Sequence, residues 1–162
     1  MSAAEPDVNR RRQEAYKQRQ REARSCALQF LYQIDVRGED ELTDEDLQRF
    51  WQQADAVIPE AQESRFQSRV EALVRGIVDR SQELDAQVNA CTEHWQTDRM
   101  SVTDRNILRL AAYEIMHCPD VPPVAAVDEA IELAKRFGDK DSPRFVNGIL
   151  DRLLRDKGLR RG

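Results

Sequence analysis

Apolar side chains recur at intervals of three and four residues along most of this sequence. Such spacing places them on one face of an α-helix. No segment shows the sustained apolar-polar alternation that is typical of a half-buried strand. The chain is therefore predicted to be all-α. The clearest stripe consists of Phe66, Val70, Leu73, Val74, Ile77 and Val78.

Residues that begin and end helices divide these stripes into about seven helices. Ser, Thr and Asp favour helix starts, whereas Gly and Pro favour helix ends. We expect the first helix to span about Asn9 to Val36 and to end at Gly38. The later helices are expected to start near Thr43, Ser64, Ser81, Ser101 or Thr103, Val124 and Ser142. The predicted core includes Phe30, Leu31, Val74, Ile77, Ile131 and Ile149.

Length and composition exclude several classes of protein. The 162 residues suffice for one domain. A membrane span needs about 20 consecutive apolar residues, and the apolar runs here are only a few residues long. No apolar signal segment lies in Met1 to Arg12. Three cysteines, an odd number without a C-x-x-C pair, indicate a reducing cytoplasm.

Motifs of catalysis and metal binding are absent from the sequence. There is no glycine-rich phosphate loop and no G-x-S-x-G elbow. His94 is expected in a loop beside Trp95, and His117 at the end of a helix next to Cys118. Neighbouring helical residues point in different directions, which disfavours a Cys–His pair there. We therefore predict no catalytic residue, no metal and no cofactor.

The charge is distributed unevenly along the chain. The net charge is −5, but residues 10–24 hold seven basic residues against two acidic ones. Residues 1–24 carry +3 and the remainder −8. A basic arm on an acidic body is typical of nucleic-acid binding, with a solvated charged helix as the alternative.

A second candidate for anion binding is the helix start within Phe137–Phe145. Free N–H groups at a helix N-terminus attract anions, and Arg144 adds positive charge. The alternative is a plain capped loop, in which Asp141 or Ser142 satisfies those N–H groups.

Three segments resemble the NusB family of bacterial transcription antitermination factors. These are Arg21–Tyr32, Asn106–Ile115, and Val121–Phe137 with its continuation to Asp151. The resemblance covers about residues 20–154 and implies an all-α fold of two perpendicular helical bundles. We therefore expect residues 1–19 to be a basic extension, flexible or partly helical, and residues 20–162 to be one RNA-binding domain.

The resemblance also implies a function without catalysis. Family members bind the boxA element of ribosomal RNA leaders together with a small-subunit ribosomal protein, NusE. They act on elongating RNA polymerase with other Nus factors, in the cytoplasm and without a membrane, and suppress premature termination. The alternatives are a helical adaptor that binds proteins through its acidic surface, and a module related to ribosomal RNA cytosine methyltransferases. Such an enzyme needs a Rossmann-type domain, for which no strand pattern exists here.

Site residues follow from the positions that match the family's motifs. Tyr32 and Asp104 match positions toward the ribosomal-protein partner. Glu22 stands where an arginine is common, and we expect upstream arginines to compensate; Pro143 also departs from the family pattern. The residues implied to bind RNA are Gln20, Arg21, Arg24, Asp141, Ser142, Arg144 and Phe145, and we add Arg19 as one of the upstream arginines that compensate for Glu22.

Overall fold

The computed structural model describes residues 4–38, 41–54, 58, 61, 63–93 and 96–159. Within these residues the chain forms seven α-helices, one short 3₁₀ turn at Thr97–Arg99 and no strand, which confirms the all-α prediction. His94, Trp95 and their predicted loop contacts lie outside the described residues. The helices are α1 Ala4–Arg37, α2 Asp44–Ala54, α3 Ser64–Asp79, α4 Ser81–Ala90, α5 Val102–His117, α6 Pro123–Phe137 and α7 Ser142–Asp156.

Local capping signals account for several helix ends. At the start of α2, the Thr43 hydroxyl accepts from the Asp46 N–H at 3.2 Å, and the Asp46 carboxylate accepts from the Thr43 N–H at 3.0 Å. Ser101, rather than Thr103, caps α5 by accepting from a backbone N–H. The prediction that Ser64 caps α3 is wrong, because that residue is already helical and no side-chain cap precedes it.

The central helix of the fold is α5, which packs against α1, α3, α4, α6 and α7. On one side, α2 joins α1 and α3 through aromatic rings, with the Phe30 and Phe50 centroids 4.2 Å apart. On the other side, α6 and α7 pack against each other and against α5. The chain thus forms two helical groups that share α5. The predicted core residues are buried except Ile131, which packs at the core edge because its helix exposes that side.

Charged side chains join the end of α1 to α5. The Asp35 carboxylate accepts hydrogen bonds from Arg105 at 2.8 Å, Asn106 at 2.9 Å and Arg109 at 3.1 Å. Arg109 also bonds Asp85 of α4. Burial alone would raise the pKa of Asp35, but the hydrogen bonds from Arg105 and Asn106 outweigh it and hold that pKa below its ordinary value. This network positions the C-terminal half of α1 on the bundle.

Candidate nucleic-acid interface

One face of α1 carries a row of exposed cations. Arg10, Lys17 and Arg21 are all exposed and lie seven and four residues apart. At 3.6 residues per turn, those intervals place the three side chains on the same face of the helix. The helix is continuous from Ala4 through this row, with no interruption at residue 19. The exposed acid Glu14 lies on the same face, four residues after Arg10 and three before Lys17, and Arg10 pairs with Asp7. The positive charge of this face therefore comes mainly from Lys17 and Arg21.

Arg21 lies where this row meets α6. Its Nε donates to both carboxylate oxygens of Glu129, at 3.0 and 3.1 Å, and its side chain is 52% exposed. Among the described residues, the terminal guanidinium nitrogens of Arg21 have no hydrogen-bond partner. A guanidinium carries five N–H donors, so a phosphate can bind to these nitrogens while Glu129 orients the side chain.

Arg24 does not lie on this surface. It is 7% exposed, and its Nε and Nη2 donate to the Glu114 carboxylate at 2.8 and 2.9 Å. Burial acts to lower the pKa of Arg24, but the hydrogen bond and charge of Glu114 outweigh it and raise that pKa above its ordinary value. The resemblance implied that Arg24 binds RNA, but its guanidinium is buried and does not lie on the exposed side of α1. The residue instead connects α1 to α5.

Arg19 and Gln20 are placed differently around the helix. Gln20 is partly exposed and follows Lys17 by three residues, so it borders the row of cations. Arg19 is exposed, but it precedes Arg21 by two residues, and residues at that spacing do not share a face. The structure therefore places Gln20 beside Lys17, whereas Arg19 lies on a different face of the helix from Arg21.

Arg136, at the end of α6, was missed in the sequence. Its Nη1 donates to the Ser25 hydroxyl at 3.1 Å, and its guanidinium lies 4.8 Å from the centroid of the Phe137 ring. Arg136 therefore lies between the surface of α1 and the loop that precedes α7. The sequence pattern that could have indicated Arg136 is its spacing of seven residues from Glu129, which places both side chains on one face of α6.

The start of α7 is a capped loop. The Asp139 carboxylate accepts hydrogen bonds from the backbone N–H groups of Asp141 at 2.9 Å and Ser142 at 3.1 Å. These two backbone N–H groups are therefore already hydrogen-bonded, which favours the alternative of a plain capped loop. The carboxylate that accepts from them belongs to Asp139, not to Asp141 or Ser142 as expected. A side chain on Gly138 would approach Ser142 to 2.5 Å, so only glycine fits this turn.

The four residues of this segment that were predicted to bind RNA differ in exposure. Asp141 and Arg144 are exposed, and Phe145 is half-buried against the core. Ser142 is 1% exposed, and its hydroxyl accepts from the Asp139 N–H at 3.0 Å. Arg144 can thus contact a phosphate directly, whereas Ser142 orders the loop.

Tyr32 lies on α1 beyond Arg21 and is 47% exposed. Val36, one turn further on, is 60% exposed, so the two form an apolar surface at the end of the helix. Asp35 lies between them and bonds α5. This surface is suited to a protein partner, since a tyrosine packs its ring and keeps its hydroxyl in water.

Asp104, the other residue predicted to face the protein partner, lies in the first turn of α5 and is only 8% exposed. Among the described residues, its Oδ1 has no hydrogen-bond partner. Burial chiefly raises the pKa of Asp104, with a contribution from Asp139, while Ser142 and Ser101 act to lower it. The position next to Ser142 puts Asp104 beneath the α7 loop. It does not offer the freely exposed carboxylate that a surface contact needs.

The described part of the chain contains neither a candidate metal site nor a candidate membrane span. No group of three His, Cys, Asp or Glu residues there converges on a common point that could hold a metal ion. None of the described helices is both long and apolar enough to cross a membrane.

The fold and the surface together define an all-α protein with a basic helical face on an acidic body. The sequence model of the NusB family matches residues 21–155. The chain therefore belongs to the NusB family.

Individual relatives cover most of the chain. Transcription antitermination protein NusB of Anaeromyxobacter dehalogenans (strain 2CP-1) is 42% identical over 135 residues, which is 83% of this chain and 89% of that protein. The protein of the same name from Desulforapulum autotrophicum is 38% identical over 143 residues, or 88% of this chain and 95% of that protein.

Solved structures have the same fold. NusB of T. maritima superimposes with a TM-score of 0.70 at 33% identity, covering 88% of this chain and 92% of that one. A chain from the crystal structure of antitermination factors NusB and NusE in complex with dsRNA gives 0.72 at 23% identity, over 86% of this chain and 98% of that one. The second likeness concerns the fold alone.

Proposed function

We propose that this protein is a non-catalytic, RNA-binding transcription antitermination factor. It binds boxA RNA in ribosomal RNA leaders together with the ribosomal protein NusE. The complex acts on elongating RNA polymerase with other Nus factors, in the cytoplasm, and suppresses premature termination. Membership of the NusB family and the names of the relatives support this proposal.

The observation that carries the proposal is the exposed Arg21 beside Arg136. Arg21 keeps its terminal nitrogens free of partners among the described residues, Arg136 lines the same surface pocket between α1 and α6, and Arg144 is exposed in the first turn of α7. RNA phosphates bind such a row of cations, while the net charge of −8 in residues 25–162 disfavours contacts elsewhere. Gln20, Asp141 and Phe145 border this path and supply base contacts.

Two of the predicted RNA-binding residues act indirectly in this proposal. Arg24 holds α1 on α5 through Glu114, and Ser142 holds the α7 loop through Asp139. Neither has a free group that faces the RNA, so their replacement changes the shape of the surface and not its charge contacts.

Salt dependence of RNA binding tests the phosphate contact. Arg21→Gln should weaken binding of boxA RNA and make the slope of log affinity against log salt shallower by about 0.7, the value for one phosphate contact with a single strand. The matched control is Arg155→Gln, an exposed arginine at the far end of α7. Equal slopes for the parent and Arg21→Gln would contradict the proposal, and salt-independent binding would favour the protein-binding adaptor.

Tyr32 tests the interaction with NusE. Tyr32→Asp places a charge on the exposed apolar surface that Tyr32 shares with Val36. We expect this variant to lose the enhancement of RNA binding by NusE but to retain the affinity of the chain alone. Tyr32→Phe, which keeps the ring, should behave like the parent. Full enhancement in a folded Tyr32→Asp variant would place the partner elsewhere.

A further inference from the structure

A second surface of α1 surrounds an exposed tyrosine with arginines. Tyr16 is 58% exposed. Arg12 precedes it by four residues and Arg19 follows it by three, so both are its neighbours on the helix surface. Arg69 of α3 adds a third cation, with its guanidinium carbon 5.8 Å from the centroid of the Tyr16 ring. We call these four residues the Tyr16 cluster.

The positive charge of the Tyr16 cluster is not neutralised within the described residues. No ion pair is formed there by Arg12, Arg19 or Arg69, and the two α1 cations are exposed. The acid nearest in sequence is Glu14, two residues from both Arg12 and Tyr16, and residues at that spacing do not share a helix face. Asp7 pairs with Arg10 and Arg11, and Glu22 accepts from Gln18. The cluster therefore places three cations without an ion pair around one exposed ring.

The Tyr16 cluster is separate from the surface that contains Arg21. Tyr16 and Arg21 are five residues apart, which is a rotation of about 140° around the helix axis. Three of its four members, Arg12, Tyr16 and Arg19, also precede the segment 21–155 that matches the family. This surface is therefore an addition to the matched domain, built on the extension of α1.

The chemistry of the cluster fits single-stranded RNA. Bases stack on an exposed aromatic ring regardless of their sequence, and guanidinium groups bind phosphates through two parallel N–H donors. Arg12 and Arg19 are about 10 Å apart along the helix and lie on either side of the ring. An acidic protein could satisfy the charges but would leave the stacking face of Tyr16 unused.

We propose that the Tyr16 cluster is a second RNA-binding surface, which holds single-stranded RNA that flanks the segment bound beside Arg21. Tyr16 stacks on a base, and Arg12, Arg19 and Arg69 contact phosphates. The inference rests on the proposed function, because it assigns a flanking part of the same RNA to the helical extension. It predicts that the chain binds a longer stretch of RNA than the matched domain alone.

RNA probes of two lengths distinguish binding at the Tyr16 cluster from binding beside Arg21. The probes are a 12-nucleotide boxA RNA and the same RNA extended by 12 uridines on its 5′ side or its 3′ side. One extended probe should bind more tightly than the short one. Tyr16→Ala should remove about tenfold of that affinity, as expected for one lost stacking contact, and leave the short probe unaffected. Tyr16→Phe keeps the ring and should retain the parent affinity.

Charge variants test the phosphate contacts. Arg12→Gln with Arg19→Gln should make the salt slope for the extended probe shallower by about 1.4, since each contact contributes about 0.7. Arg11→Gln is the matched control, because Arg11 is on the same helix, exposed, and paired with Asp7. Circular dichroism of each variant checks that α1 remains helical.

The outcomes distinguish this inference from the proposed function. If the short probe binds with a slope that depends on Arg21, but Tyr16→Ala and the double arginine variant bind the extended probes like the parent, the second surface is refuted alone. If no probe binds, or if Arg21→Gln changes nothing, the proposed function fails as well. If Arg11→Gln weakens binding of the extended probe as much as the double arginine variant does, the effect is one of overall charge, and the cluster is refuted.

Discussion

The buried ion pair between Arg24 and Glu114 gives the sharpest prediction for stability. The two side chains are 9% and 4% exposed and meet through two hydrogen bonds of 2.8 and 2.9 Å. Arg24→Met would leave the Glu114 carboxylate buried without its partner. Breaking a buried pair in this way costs about 3–5 kcal/mol. For a chain of this length each kcal/mol lowers Tm by about 2–4 °C, so we expect a decrease of about 10 °C.

A double variant separates the ion pair from simple packing. Replacing both partners with apolar residues of similar size, as in Arg24→Met with Glu114→Leu, removes the buried charges together. We expect its free energy of unfolding in urea to lie within about 1 kcal/mol of the parent. If Arg24→Met costs less than about 1 kcal/mol, or if the double variant is no more stable than the single one, the reasoning is wrong. Below its melting point, Arg24→Met should also keep the parent salt slope for RNA.

Three further variants test packing and burial by thermal and urea unfolding. Gly76→Ala should destabilise the fold by about 1–3 kcal/mol, because its Cβ would collide with the Tyr113 ring; wild-type stability would refute that close contact. Ile77→Ala should cost about 2–5 kcal/mol by opening a cavity, and an unchanged midpoint would contradict its place in the core. Asp104→Asn should stabilise the protein at pH 7. The raised pKa of Asp104 means that folding disfavours its charged form, so this gain should disappear as the pH falls below about 3.9; a gain that persists at pH 3 would contradict this explanation.

Local signals in the sequence were sufficient to predict the helices. The caps at Thr43 and Ser101 join atoms only three residues apart, so the pattern of residue types contains the whole interaction. Gly38 was expected to end α1, and its φ of 71° is the left-handed conformation that glycine adopts most readily. The first helix nevertheless starts at Ala4, earlier than the predicted Asn9, because an exposed polar segment has no apolar stripe that marks its start.

Contacts between distant parts of the chain were not predictable in the same way. Arg24 was named as an RNA-binding residue from the family resemblance, whereas its burial depends on Glu114, which lies ninety residues further along the chain. Arg136, which bonds Ser25, and Arg69, which lies over Tyr16, also contact residues that are far away in the sequence. Tyr32 was assigned to the partner surface from the family resemblance; the structure gives its exposure, 47%, and the contact with a partner stays a prediction.

The continuity of α1 has a geometric consequence for how RNA and a protein partner can be combined. Arg10, Arg21 and Tyr32 follow one another at intervals of eleven residues, which is close to three full turns. The helix therefore holds these three side chains on one side of its axis, with about 16 Å between one and the next. A single residue inserted between Arg21 and Tyr32 would rotate Tyr32 by about 100° around the helix axis relative to Arg21. Loops of this protein can change length without disturbing that register, whereas the length of α1 cannot.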